Sequence, residues 1–268
     1  MTAARKMAKY AAYAHVTVRS HLAYLLDFLI RSSFLLVILF IFFQLWSVTY
    51  EGVGQRQIEG YTFRQMIWYL AVAESVILAA PKLNAKIEAE VKNGDIAYQL
   101  IRPASYLLMH YGSYMGEAFV RVSINVLLGS ALATAWFGWT APGWNVPLCL
   151  LVMIGSFTVN FLLVMTLSLC AFWVEETRGL DFVYNKLLFT IGGMLLPLEM
   201  FPAPLRSVSQ WLPFQAIAYF PAKTAVAAAD GAETMRMIAI QWGWVAVLAG
   251  LTTIVYRKGV RKLNVNGG

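Results

Sequence analysis

The chain has 268 residues, of which 59% are hydrophobic and only 13% charged, with a mean hydropathy of +0.62. A soluble domain carries about a quarter charged residues and less than half apolar ones, so a soluble enzyme, a disordered segment and a coiled coil are all excluded. The net charge of +7 then points to the positive-inside rule and to membrane lipids with anionic headgroups, with no nucleic acid as partner.

The apolar residues fall in runs of about twenty, the length that crosses a hydrocarbon core of about 30 Å. The expected fold is all-α: a polytopic membrane protein forming a single transmembrane domain over residues 1–268. No cleavable signal peptide is expected at the start. In residues 1–27, Arg5, Lys6, Lys9 and Arg19 interleave with Met7, Tyr10, Ala14 and Val18. Those apolar residues share one face of a helix, which predicts a basic amphipathic helix in the membrane interface. The plainer alternative is a solvated lead-in to the first span.

The first span is expected over about Phe28 to Val48, and the second over about Phe63 to Ala80, interrupted by Glu74. Residues 82–102 are too charged for lipid. The third span, about Tyr106 to Trp136, carries Glu117 and Arg121. The fourth runs from Val146 to Val174 without a charge, the fifth from about Phe182 to Leu198, and the last from about Met237 to Tyr256. Residues 201–229 are apolar but hold Pro202, Pro204, Pro213 and Pro221. Each proline inside a helix costs about 3 kcal/mol, and the carbonyls it frees cannot turn to water in lipid. Two short helices that fold back, about Leu205 to Leu212 and Gln215 to Ala228, are predicted instead of a seventh span.

Charge fixes the sides. With six spans both termini share one side, which collects fifteen of the 21 Lys and Arg residues. That side is cytoplasmic by the positive-inside rule. A seventh span would place Arg257, Lys258, Arg261 and Lys262 outside. Trp136, Trp139 and Trp144 bracket the short outer turn as an interfacial aromatic belt should. No inverted repeat of the secondary-transporter kind is visible.

Chemistry for catalysis is missing. His15, His21 and His110 have no Cys, carboxylate or second His at ligand spacing, so no metal site is expected. The two cysteines, Cys149 and Cys170, lie in one apolar run and build no disulfide framework. No phosphate loop is present, so ATP hydrolysis cannot come from this chain. Glu74, Glu117 and Arg121 are intramembrane ions, each costing about 2.5–3.5 kcal/mol as a bare charge. Two readings stay open: a pair that clamps helices, with Glu117 or Glu74 neutralising Arg121, or a polar patch lining a substrate path. Gly112 and Gly116 on the same helix form a GxxxG, which can mark a close-packing face.

The inner stretch predicts an amphipathic helix over Asn84 to Lys92, stopped at Asn93-Gly94. It is either a solvated connector or a docking helix for a cytoplasmic partner, offering both signs of charge beside apolar residues. Beyond it, Gly94-Asp95-Ile96 and Leu100-Ile101-Arg102-Pro103 resemble the "G-D-I/L … L-x-R/K-P" element of the type-2 ABC exporter permeases. Pro197-Leu198-Glu199-Met200-Phe201-Pro202, with Leu212-Pro213-Phe214 and Tyr219-Phe220-Pro221, resembles that family's "P-x-x-x-F-P … P-F … Y-x-P" element. The basic tail closing on Gly267-Gly268 is similar too, although Asn264-Val265-Asn266 stands where the family has an aromatic residue.

The resemblance implies the six-span transmembrane subunit of an ATP-driven exporter in a bacterial inner membrane. It implies two ABC ATPase subunits and a second permease, identical or related, with ATP and Mg bound by the ATPases and no cofactor on this chain. It makes the inner segment a coupling helix, with Asn84, Lys86, Ile87, Glu88, Glu90, Val91, Lys92, Gly94 and Asp95 as ATPase-coupling residues. It also makes Pro197, Phe201, Pro202, Pro213, Phe214, Tyr219 and Pro221 an outer gate. Drugs, lipids and envelope components are the substrates it allows. The competing readings are a secondary transporter using Glu74, Glu117 and Arg121, and an integral membrane enzyme, which the missing catalytic constellations disfavour.

Overall fold

The computed structural model describes residues 3–23, 25–138, 146–174, 176–226 and 231–266, and its architecture is helical apart from one short hairpin. Trp139, Trp144 and the closing Gly267-Gly268 lie outside the described residues. Helix α1 (Ala3–Ala23) is followed by α2 (Leu25–Val53) and a two-stranded hairpin, β1 (Gln57–Ile58) and β2 (Tyr61–Thr62), in which Ile58 pairs with Tyr61. Thr62 then caps α3 (Phe63–Ala79) in a reciprocal capping box with Gln65, satisfying two of the donors a helix start leaves orphaned. Pro81 separates α3 from α4 (Leu83–Lys92), and Gly94 separates α4 from α5 (Asp95–Ile101). Gly94 sits at φ +76°, a left-handed backbone that glycine adopts without a Cβ clash.

Ser105 caps the long α6 (Tyr106–Phe137), and α7 (Val146–Ser168) tightens into a 3-10 turn at Leu169–Phe172. The chain continues through α8 (Arg178–Ile191), a 3-10 turn at Leu198–Met200, α9 (Ala203–Trp211), another at Pro213–Ala216, α10 (Tyr219–Val226) and α11 (Gly231–Asn266). Among the described residues, five stretches are long and apolar enough to cross a membrane: Ser32–Val53, Phe63–Lys92, Tyr106–Phe137, Pro147–Phe172 and Gly231–Lys262.

The segment expected as the fifth span differs. Helix α8 starts at Arg178 and stops at Ile191 after 14 residues, about 21 Å at 1.5 Å per residue and short of the hydrocarbon thickness. Gly192-Gly193 ends it, and residues 192–197 are non-helical. Gly193 takes φ +74°, and a Cβ there would lie 2.8 Å from that of Tyr219. The Tyr69 hydroxyl donates to the Gly193 carbonyl, so this irregular backbone is satisfied within the protein.

Helix α3 lies at the centre, with every residue from Met66 to Val76 buried between α2, α6 and α10. Helix α7 packs along α11, where Thr166 and Thr252 hydroxyls meet at 2.7 Å. On α11, buried Gln241 donates to the carbonyls of Val152 (3.0 Å) and Ala216 (2.9 Å), tying α7 to the last 3-10 turn. Without water in the bilayer core, such interhelical bonds and small residues replace the hydrophobic effect as the packing force.

The GxxxG of α6 is a true contact face. A Cβ on Gly112 would sit 2.6 Å from the Tyr10 carbonyl oxygen, and one on Gly116 would sit 2.5 Å from that of Ala14. Helix α1 therefore lies against the first turns of α6, using the Tyr10, Ala14 and Val18 face that periodicity predicts. Lys9 donates to the Pro103 carbonyl (2.5 Å), and the Tyr10 hydroxyl accepts from the Ser105 amide (3.0 Å).

Candidate functional site

Helix α4 is wedged at one end of the bundle against α7 and the Leu169–Phe172 turn. Successive residues of a helix point about 100° apart, so the ten residues of α4 divide into an inward and an outward set. Asn84, Ile87, Glu88 and Glu90 are buried, Val91 and Gly94 half-buried, and Lys86, Lys92 and Asp95 exposed. Helix α5 adds two large exposed apolar side chains, Tyr98 (74%) and Ile101 (82%). The nine inner candidates are thus brought together, but only some of them face outward.

The two buried carboxylates act as tethers in different directions. Glu88 accepts from Lys92 Nζ (2.7 Å), from Thr177 Oγ1 (2.6 Å) and from the Thr177 amide (3.2 Å), and Asn84 Oδ1 lies 3.2 Å from the same hydroxyl. The Lys92 ammonium and the Thr177 donors hold the Glu88 carboxyl at about 2, well below its ordinary value. Thr177 is fully buried and immediately precedes α8. Glu90 accepts from the Tyr106 hydroxyl (2.7 Å) and lies 3.1 Å from His110 Nε2, both on the first turns of α6. Burial pushes the Glu90 carboxyl up, but His110, Tyr106 and Gln99 together hold it below its usual value. Tyr106 also stacks on Tyr256 of α11, with ring planes 5° apart. These bonds tie α4 to the first turns of α6 and to the residue that precedes α8.

Beside α4 a cavity of about 680 Å³ opens, bounded by the 77–82 corner, α4, α7 and α8. Arg121 reaches it from α6 and forms an ion pair with Glu117, which also lies 3.6 Å from His21 of α1. Glu74 is buried on α3 at 3% exposure and, among the described residues, makes no hydrogen bond or ion pair. Of the two carboxylates weighed as partners for Arg121, the structure brings Glu117 to it.

At the opposite end, Glu199 gathers a second cluster. It accepts from the Tyr219 hydroxyl (2.6 Å), from Lys223 Nζ (2.7 Å) and from the Tyr61 hydroxyl (3.2 Å), and Lys223 also pairs with Glu233. Burial pushes the Glu199 carboxyl up, but the Lys223 and Tyr219 bonds outweigh it and hold the group below its usual value. Burial likewise draws the Lys223 ammonium down, and Glu199 and Glu233 raise it above its usual value. Around this cluster Pro197, Phe201, Pro213, Phe214, Tyr219 and Pro221 are buried, while Pro202 is exposed. Phe214 packs on Tyr184 of α8 at 6.0 Å between ring centres. Thr177, Glu199 and Lys223 do not stand out in sequence. Glu199 is one carboxylate in the apolar run LLPLEMFP, and nothing local marks its partners.

A model of the ABC-2 family transporter proteins matches residues 35–267. The chain belongs to the ABC-2 transporter family. No curated protein and no solved structure matches it. It is a multi-pass membrane permease subunit of a family whose transmembrane subunits lack an ATPase domain. Among the described residues, no group of three or more His, Cys, Asp or Glu could hold a metal ion.

Proposed function

We propose that this permease is the translocating half of an ATP-driven exporter, with α4 and α5 as its docking surface for a separate ABC ATPase. The observation that carries the reading is the split character of α4. Its buried carboxylates are tethered to α6 and to the start of α8, while Lys86, Asp95, Tyr98 and Ile101 stand exposed on the same short segment. A solvated connector needs no inward tethers. A lever does: force applied outside must reach the spans.

In this reading six segments cross, both termini are cytoplasmic, and the membrane is a bacterial inner membrane. The fifth crossing is α8 completed by residues 192–198. Non-helical backbone at membrane depth is tolerated where it is buried in protein, and burial of Gly192, Gly193 and Pro197 with the Tyr69 bond supports this. Residues 201–229 form the outer re-entrant gate, latched by Glu199 and Lys223. Two permeases, identical or related, work with two ATPases that bind ATP and Mg. The substrate is a drug, lipid or envelope component.

The test is purification of the tagged full chain in mild detergent from its native membrane. ATP hydrolysis that copurifies, and that is lost on Asp95→Arg without loss of the permease, supports the assignment. A permease that purifies intact without any ATP-binding chain overturns it.

A further inference from the structure

Neither the docking surface nor the outer gate accounts for the cavity beside α4. Its volume of about 680 Å³ lies within the usual range for small-molecule sites, about 300–1,000 Å³. The charges of its wall cancel. Lys92 is paired with Glu88, Arg121 with Glu117 and Arg178 with Glu176. Lys82 and Asp181 remain, one cation and one carboxylate. Recognition of a charged ligand rests on a complementary excess of the opposite sign, and the balanced wall offers none.

The wall offers neutral hydrogen-bonding groups instead. Asn84, Asn93, Asn160 and Asn185 all line it. Asn160 on α7 is the informative one, because it is only 4% exposed. Its Oδ1 accepts from the Tyr184 hydroxyl. A carboxamide carries two N–H donors as well as its oxygen, and among the described residues the nitrogen end of Asn160 has no partner. The pattern repeats at Asn84, which is also buried: Oδ1 lies 3.2 Å from the Thr177 hydroxyl, and the nitrogen end is unmatched among the described residues. Buried polar groups left unpaired cost about 1–3 kcal/mol each, so an occupant that satisfies them is favoured. The apolar part of the wall is close by. Val164 and Leu188 are buried and follow Asn160 and Tyr184 at four-residue spacing, one helical turn on.

We propose that this cavity binds an uncharged amphiphile with hydroxyl groups at its polar end, an acylated polyol, with the Asn160 carboxamide donating to a hydroxyl oxygen and the apolar part along Val164 and Leu188. A hydroxyl both donates and accepts, so it matches either end of a carboxamide and brings no charge that the wall would have to neutralise. That such a molecule is also exported rests on the exporter reading above; the binding site itself does not. Asn84, Glu88 and Lys92 of α4 line the same cavity, so the occupant would lie against the helix assigned to the ATPase.

The test uses the purified full chain alone in phosphatidylcholine nanodiscs, since a glycoside detergent would itself compete, and its outcome does not depend on whether an ATPase copurifies. The probe is radiolabelled monodecanoylglycerol, compared with decyl phosphate, decylamine and methyl decanoate. The expected result is saturable binding of the glycerol ester, tighter by at least about tenfold than that of any comparator. Asn160→Ala should weaken it by about tenfold, the scale of one hydrogen bond. Tyr184→Phe removes the same Asn160–Tyr184 bond but keeps the carboxamide, and should weaken binding by less than about threefold. Asn185→Ala, at an exposed position that leaves the core intact, should weaken it by about threefold. Equal binding of methyl decanoate overturns the hydrogen-bonded site and leaves an apolar cleft. Tighter binding of decyl phosphate or decylamine overturns the charge balance. Equal losses in Asn160→Ala and Tyr184→Phe overturn Asn160 as the anchoring donor.

Discussion

Replacing Thr177 by valine removes one hydroxyl and changes little else in shape. The hydroxyl donates to Glu88 Oε2 at 2.6 Å, while the backbone amide of residue 177 continues to donate at 3.2 Å and Lys92 at 2.7 Å. A hydrogen bond to a charged group contributes about 1.5–3 kcal/mol, so the α4–α8 tether should weaken by about 2 kcal/mol, or about thirtyfold. Glu88→Gln removes the charge from the same bond. A double-mutant cycle by denaturant unfolding in detergent should then give a coupling of about 1–2 kcal/mol.

The pH dependence follows from the sign of the Glu88 shift. Its carboxyl is held at about 2, below its usual 4.5, by Lys92 and then Thr177. A lowered value in the folded state contributes stability above the usual value and loses it as pH falls toward 2. The cost of Thr177→Val should therefore be constant from pH 6 to 8 and shrink only in strong acid. In complex with the proposed ATPase, the variant should still support ATP hydrolysis yet transmit less movement, read as ATP-dependent reactivity of a cysteine at Ser207. Additive unfolding energies in the cycle, with unchanged ATP-dependent reactivity at Ser207, would refute the tether.

Three further outcomes are expected. Arg121→Met should lower stability by about 1–2 kcal/mol, since it leaves Glu117 with His21 as its remaining ionic neighbour, and adding Glu117→Gln should recover part of it while Glu74→Gln should not; coupling to Glu74 in a double-mutant cycle would contradict the pairing. Gly116→Val should dislodge α1, because even a Cβ would sit 2.5 Å from the Ala14 carbonyl oxygen; a cysteine at Tyr13, half-buried against α6, should then react faster with a thiol reagent, and an unchanged rate would count against the packed face. In a chain lacking Cys149 and Cys170, a cysteine at Ser207 should react with an impermeant thiol reagent from outside, and one at Asn264 only after the membrane is opened. Labelling of Asn264 in intact cells would remove both the six-crossing count and the outer gate.

Much of the architecture is legible because lipid imposes few choices. Apolar run length marks the long helices, the prolines after residue 201 break the chain where two short helices and a 3-10 turn now lie, and Asn93-Gly94 ends α4 where expected. The early stop of α8 is harder to read. Residues 182–198 are mostly apolar, broken only by Asn185, Lys186 and Thr190, and the Gly192-Gly193 turn that ends the helix packs on Tyr69 and Tyr219 from elsewhere in the chain. The tethers are invisible for the same reason. Glu88 and Thr177 are 89 positions apart, and nothing in the local pattern around either residue points to the other. Amphipathicity locates α4, but which carboxylates face inward depends on neighbours that only the folded chain supplies.

The central claim is that α4 and α5 meet an ATPase, and a photo-crosslinking residue placed at Tyr98 tests it most directly. In native membranes, Tyr98 and Lys86 should each trap a chain that is itself labelled by a photoreactive ATP analogue, and Ser207 should not. Capture of that chain from Ser207, or of no nucleotide-binding chain from either inner position, would contradict the account.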